Sequence, residues 1–174
     1  MDFVRIGEKL IDKERIYKVI DRILEMRCRG GSQQEVADKL GIDRTFISRL
    51  ETLGEVRKGG RIALVGFPIL NKAELEALAR EEGVDYVLIL TDEERWAFVK
   101  NRSGIDLFNE VMALIMKLKH YDSVIFLGSD LRVGLAESIL GDRVIPIILG
   151  TSPMKEDKYV DPGQIRGIIR ELRG

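Results

Sequence analysis

Four polar side chains between Asp43 and Glu51 could bind nucleic acid, because a helix would bring them to one side. In this segment, DRTFISRLE, three apolar residues recur at helical spacing and predict the inward face: Phe46, Ile47 and Leu50. Arginine can bond both acceptors on the major-groove edge of guanine, while serine and threonine hydroxyls can serve bases or phosphates. The side chains left facing outward are Arg44, Thr45, Ser48 and Arg49.

A second short helix has to precede this one to hold it in place. The segment from residue 32 predicts that helix, with one apolar face made by Val36, Ala37 and Leu40. Gly41 can take the positive φ that a turn after a helix end requires, and Asp43 is a good N-cap for the next helix. Gln33 and Gln34 lie at the N-terminus of the first helix, where backbone amides favour a phosphate.

The stretch 32–51 resembles the lambda-repressor-like (Cro/CI-type) helix-turn-helix family. The matching positions are Gln33, Ala37, Gly41, Ile42 and the run from Ile47 to Glu51. The resemblance implies double-stranded DNA as a partner, with Gln33 and Gln34 approaching the backbone. It also implies that four residues face the major groove: Arg44, Thr45, Ser48 and Arg49. The alternative is a helical hairpin used only for packing or protein contact.

The segments before residue 32 and after residue 51 carry weaker patterns. Periodicity predicts an amphipathic helix from Asp12 to about Arg29, which the family's domain also needs. Residues 1–10 could extend that helix, pair with another domain or remain mobile. After Glu51, glycines flank Arg57 and Lys58, which form either a basic wing on DNA phosphate or part of a linker. The expected domains are therefore 1–58, an all-helical helix-turn-helix domain, and 59–174.

The second domain is expected to be α/β. Four apolar runs rich in β-branched residues, without polar alternation, predict parallel strands covered on both faces: 62–65, 86–90, 124–127 and 144–149. Helices are predicted between and after them, at 72–82, from Thr91, and at 104–119, 131–140 and 162–173. Strands that alternate with helices predict a small Rossmann-like doubly wound sheet, and we expect the strand order 2-1-3-4.

Such sheets bind ligands at the carboxyl ends of their strands. Small and polar residues gather there and are candidates for a small-molecule effector site: Gly66, Phe67, Thr91, Asp92, Gly128, Ser129 and Asp130. The alternative for Ser129 and Asp130 is simple capping of the next helix.

Catalysis has little support in the sequence, and no catalytic residue, metal ligand or cofactor is assigned. Neither a GxGxxG following the first strand nor a P-loop is present. Convergence of Asp92, Glu93 and Asp130 on a divalent cation would favour a small α/β enzyme acting on a nucleotide or phosphorylated metabolite. Cys28 and His120 are the only residues of their types, and each is expected to be structural.

The helix at 104–119 is apolar nearly all round, which one face against a sheet does not require. It is either sandwiched inside the protomer or meets a second subunit, and its two methionines, Met112 and Met116, favour the subunit interface of a homodimer.

Composition fits this organisation. The 174 residues are 45% hydrophobic and 33% charged. The charge is +2 up to Gly60 and −3 beyond it, a mild asymmetry. No apolar run reaches the length of a membrane span and the N-terminus lacks a signal-peptide pattern, so we expect a cytoplasmic protein. The sequence thus predicts a DNA-binding transcriptional regulator; a scaffold without either activity is a third interpretation.

Overall fold

A computed structural model describes residues 2–55 and 60–174. The chain divides into two compact units, Met1–Glu55 and Val56–Gly174, and each is described by itself. The predicted boundary after Lys58 lies outside the described residues, as do Arg57, Lys58 and the wing or linker expected there.

The first unit begins with a β-hairpin that the sequence analysis did not predict. Strands β1 (Phe3–Ile6) and β2 (Lys9–Asp12) pair antiparallel, with Val4 opposite Ile11. Gly7, at φ +59°, is the first residue of the two-residue turn, where a type II′ turn requires glycine. Residues 3–10 therefore do not extend α1, which was one of the alternatives considered for residues 1–10. The overlooked signal is a Gly-X pair between two short runs, FVRI and KLID, that each contain apolar residues.

Three helices follow the hairpin: α1 (Lys13–Cys28), α2 (Gln33–Leu40) and α3 (Arg44–Gly54). Their starts agree with the sequence, because Asp12, Ser32 and Asp43 are the three N-caps. At its C-terminal end, α3 runs three residues past Glu51, so the wing or linker expected after Glu51 does not begin before Glu55.

The three helices share one small core. Ile23, Val36, Ala37 and Ile47 are buried together, with Leu50 packed against them. Phe46 was expected in this core and is instead 46% exposed. One residue turns a helix by about 100°, which places Phe46 beside Ile47 at the edge of the packing face.

The second unit is mixed α/β and is built on a four-stranded parallel sheet. Its strands are β3 (Ile62–Gly66), β4 (Tyr86–Ile89), β5 (Ser123–Ser129) and β6 (Val144–Gly150). The order across the sheet is β4-β3-β5-β6, which confirms the predicted 2-1-3-4. Every residue of the two central strands is buried. Edge strand β6 is not covered on both faces, and Ile148 is exposed, so for this strand the prediction is wrong.

Helices lie on both faces of the sheet. One face packs against α4 (Lys72–Glu81) and α8 (Pro162–Arg173), and the other against α6 (Gly104–Leu118) and α7 (Asp130–Leu140). A short helix, α5 (Asp92–Lys100), follows β4. Within the described ranges, no helix combines the length and apolar character needed to cross a membrane.

Helix α6 is not sandwiched between other elements of residues 60–174. Only Leu118 of its residues is buried, and Leu107, Leu114 and Ile115 are partly buried. The rest of its apolar surface is exposed, so no other element within the described part of the second unit covers that side of α6.

Candidate functional sites

The turn between α2 and α3 has the geometry that its residue types predict. Gly41 adopts the left-handed conformation, with φ +65° and ψ 36°. The next residue, Ile42, donates its backbone N–H to the Ala37 carbonyl across 3.0 Å and packs against the core. Asp43 then caps α3 by accepting a hydrogen bond from the Thr45 amide, which lowers the pKa of the Asp43 carboxyl below its ordinary value. The turn therefore fixes where α3 starts relative to α2.

One side of α3 is polar and open to solvent. Its buried side is set by Ile47, which has no exposed surface. The four side chains predicted to face outward are all exposed: Arg44, Thr45, Ser48 and Arg49. Thr52 extends this surface by one turn, although its hydroxyl donates to the Ser48 carbonyl across 2.9 Å.

A carboxylate at the other side of α3 ties the three helices together. Glu51 accepts hydrogen bonds from Arg27 on α1 and from Gln33 on α2. Arg27 also donates to the Gly31 carbonyl at 2.6 Å. The hydrogen bonds from Arg27 first, and then from Gln33, lower the pKa of the Glu51 carboxyl. Sequence reasoning did not find this network, because its members are 18 and 24 residues from Glu51.

The two glutamines predicted to approach a phosphate differ in their surroundings. Gln33 is partly buried and uses one amide hydrogen on Glu51. Gln34 is exposed and donates to Asp38 on its own helix across 2.8 Å. Both lie in the first turn of α2, whose N-terminus is closed by a capping box between Ser32 and Glu35.

In the second unit, the seven residues predicted as an effector site lie at the carboxyl ends of three adjacent strands. They follow or end β3, β4 and β5. The sequence did not reveal that residues 151–160, here called the crossing segment, run over these same ends. This segment starts after edge strand β6, contacts β5 through Ser152, and reaches the loop after β3 at Lys158. Asp157 of the segment accepts a hydrogen bond from the Asp92 amide, beyond the opposite edge strand.

The crossing segment satisfies the polar groups at the end of β5. The Ser152 and Ser129 hydroxyls are 2.6 Å apart, and Ser129 is buried. Asp130 accepts the Ser152 amide at 2.8 Å and the Leu131 amide at 2.7 Å. The Ser152 amide, followed by the Leu131 amide, lowers the pKa of Asp130. Capping therefore explains only part of the contacts of Asp130, and the Ser129 hydroxyl does not cap α7.

The candidates after β3 and β4 also have structural partners. A Cβ at Gly66 would stand 3.0 Å from Leu127, so this glycine permits close strand packing. Phe67 makes an edge contact with the Phe126 ring, with centroids 5.8 Å apart. Thr91 caps α5 in a capping box with Glu94, and Asp92 pairs with Arg95.

No group of three or more histidine, cysteine, aspartate or glutamate side chains that could hold a metal ion occurs in residues 2–55 and 60–174. The convergence of Asp92, Glu93 and Asp130 considered from the sequence is thus not found. Cys28 is exposed at the end of α1, which contradicts the expectation that it packs.

Comparison with protein-family models, with curated proteins and with solved structures finds no significant match for this chain.

Proposed function

We propose that this protein is a sequence-specific regulator of transcription that binds double-stranded DNA through a helix-turn-helix formed by α2 and α3. The observation that carries the proposal is the two-sided character of α3. Ile47 is fully buried, whereas four side chains that can bond base edges and phosphates are all exposed on the other side: Arg44, Thr45, Ser48 and Arg49.

The contacts of α3 with the rest of its unit also support this function. A recognition helix must keep a fixed angle to the helix that contacts the backbone, since base contacts tolerate little displacement. Here, Gly41 sets the turn and Glu51 bonds both neighbouring helices. Hydrogen bonds therefore join α3 to both neighbouring helices, while the four side chains of its other side are open to solvent.

Selection of bound fragments from random duplex DNA tests the proposal. We expect enrichment of a defined sequence by the wild type, and loss of that enrichment in the double variant Arg44→Ala/Arg49→Ala. Arg22→Ala is a matched control, because Arg22 is an exposed arginine on α1 rather than on α3. Equal recovery of all duplexes by the wild-type protein would refute sequence-specific binding.

We further propose that a small-molecule effector binds at the carboxyl ends of β3 and β5. What supports this is the position of Gly66, Ser129 and Asp130 at adjacent strand ends, together with the crossing segment above them. A ligand there has to replace the contacts of Ser152, so its binding is coupled to the position of that segment.

A thermal-shift screen of nucleotides and phosphorylated metabolites tests the effector proposal. The stabilisation by a ligand found in this way should be lost in Asp130→Ala. It should be kept in Asp142→Ala, which is a control on the turn after α7.

A further inference from the structure

Helices α6 and α7 both expose large apolar side chains on the surface that they turn away from the sheet. Toward the sheet, both helices contribute to one buried cluster, α6 through Leu118 and α7 through Val133 and Leu140. Away from it, α6 exposes side chains that recur every three or four residues, here called the α6 seam: Ile105, Phe108, Met112 and Met116. This spacing is the one by which two helices pack along their length.

The size of this face is that of one side of a stable protein interface. Ile105 is 75% exposed, Phe108 64% and Met116 57%. If a large apolar side chain presents about 150–250 Å² when fully exposed, the α6 seam alone leaves on the order of 500 Å² in contact with water. Exposed residues of α7 raise this toward the roughly 800 Å² that each partner buries in an interface of standard size: Leu131, Leu135 and Ile139.

The charges of α6 indicate what kind of partner fits. The helix has three charged side chains, and each is engaged within its own chain. Asp106 bonds the Ser103 hydroxyl, Glu110 pairs with Arg102, and the Lys117 ammonium lies 3.9 Å from the centroid of the Tyr86 ring. The seam itself is uncharged, so two copies can meet there without like charges facing each other.

Helix α7 carries a depression on its exposed side. Gly134 and Ser138 are one turn apart, and Leu131 and Leu135 line the same depression. A Cβ at Gly134 would meet nothing within 4 Å, so packing inside the protomer does not require a glycine at this interior helical position. Glycine there lets another helix or a large side chain approach closely, as the phenyl ring of Phe108 from a second copy would.

We propose that a second copy of this chain covers this face, so that α6 and α7 of the two copies form one four-helix layer about a two-fold axis. A two-fold axis fits because the same patch then serves both copies and must be complementary to itself. The α6 seam meets that condition, because it is uncharged and combines flexible methionines with one large ring. The depression on α7 can accept such a ring from the other copy. The inference concerns assembly alone and does not depend on DNA binding.

Sedimentation velocity on the full chain from about 1 to 100 µM, without DNA, tests the proposal. We expect a wild-type dimer and, for Met116→Glu, a dissociation constant raised at least about 100-fold. Gln164→Glu adds the same charge on α8, which packs on the opposite face of the sheet, and should leave the dimer unchanged. A monomeric wild type would overturn the inference, whether the seam is then bare, covered by other residues of the chain, or taken by a different protein.

A second variant separates lost association from lost folding. Gly134→Gln replaces glycine by a better helix former at an open position, so it should not unfold α7, yet its side chain fills the depression. We expect a folded monomer by circular dichroism and sedimentation. Gly167→Gln is the matched control, because Gly167 is an equally open glycine inside α8. A Gly134→Gln variant that dimerises like the wild type would exclude α7 from the interface.

Discussion

Gln33 on α2 donates a hydrogen bond from Nε2 to Oε2 of Glu51 on α3 across 2.7 Å. The bond joins the start of α2 to the C-terminal half of α3. Arg27 on α1 approaches the same carboxylate, so one acidic side chain fixes all three helices of the N-terminal unit. The angle between α2 and α3, on which DNA reading through α3 would depend, is therefore controlled by a residue that does not belong to the exposed face.

The first prediction concerns the pH dependence of this network. Because the pKa of Glu51 is lowered in the folded state, its ionised form stabilises the fold above the ordinary carboxyl pKa of about 4.3, and this contribution is lost as pH falls through the lower folded pKa. Glu51→Gln should lower the melting temperature by about 2–4 °C at pH 7. The difference from wild type should shrink below about pH 4. Calorimetry at pH 7, 5 and 3 measures it; a difference that stays constant with pH would contradict an ionic role.

The second prediction concerns affinity for a selected DNA sequence. Arg44→Ala and Arg49→Ala should each weaken specific binding by about 1–3 kcal/mol for each lost base contact, because arginine reads guanine through two bonds. Both side chains are exposed, so the melting temperature should be unchanged. Fluorescence anisotropy at fixed salt measures the affinity. Variants that lose equal affinity for all sequences would place these arginines on the phosphates instead.

The third prediction concerns the turn at Gly41. A β-branched residue resists the left-handed conformation found there, so Gly41→Val should destabilise the first unit by about 1–3 kcal/mol. No atom lies within 4 Å of a Cβ at this position, so the cost comes from the backbone alone. Gly41→Asn is the control, because asparagine tolerates positive φ and should cost much less. Urea unfolding compares the two, and equal losses would show that side-chain size matters instead of φ.

The fourth prediction joins the two units. If two copies assemble through α6 and α7, the selected DNA should be nearly palindromic, with half-site centres about 10 bp or a multiple of that apart. Insertion of about 5 bp between half-sites should reduce affinity strongly, since it moves one site to the opposite side of the duplex, whereas about 10 bp should restore much of it. Gel-shift titration measures both. A single non-repeated site bound by a monomer would contradict this prediction and leave DNA binding itself intact.

Most of the local structure could be predicted from patterns of neighbouring residues. The four strands of the sheet and the starts of the helices follow from apolar runs, helical spacing and capping residues, all of which act over a few neighbouring positions. Asp12, Ser32, Asp43, Thr91 and Asp161 are N-caps because their short side chains reach an amide two or three residues ahead. The exposed side of α3 was predictable for the same reason, since burial of Ile47 dictates where its neighbours point.

Features whose partners are far apart in the chain could not be predicted from such patterns, because they depend on how the elements pack. The crossing segment has no periodic pattern, and its position depends on contacts such as that between Asp157 and the Asp92 amide, 65 residues away. The Glu51 network likewise joins residues that are far apart in the chain. Because such contacts leave no local pattern, the sequence also did not show that the candidate effector residues are hydrogen-bonded within the protein.

Helix α6 shows most clearly what the periodicity of a sequence cannot predict. Its sequence is apolar nearly all round, so periodicity could not tell which side the sheet would take. Packing buries Leu118 and leaves Met112 and Met116 exposed. The physical reason is that hydrophobic burial has no direction of its own: the shape of the surrounding sheet and helices selects the buried side.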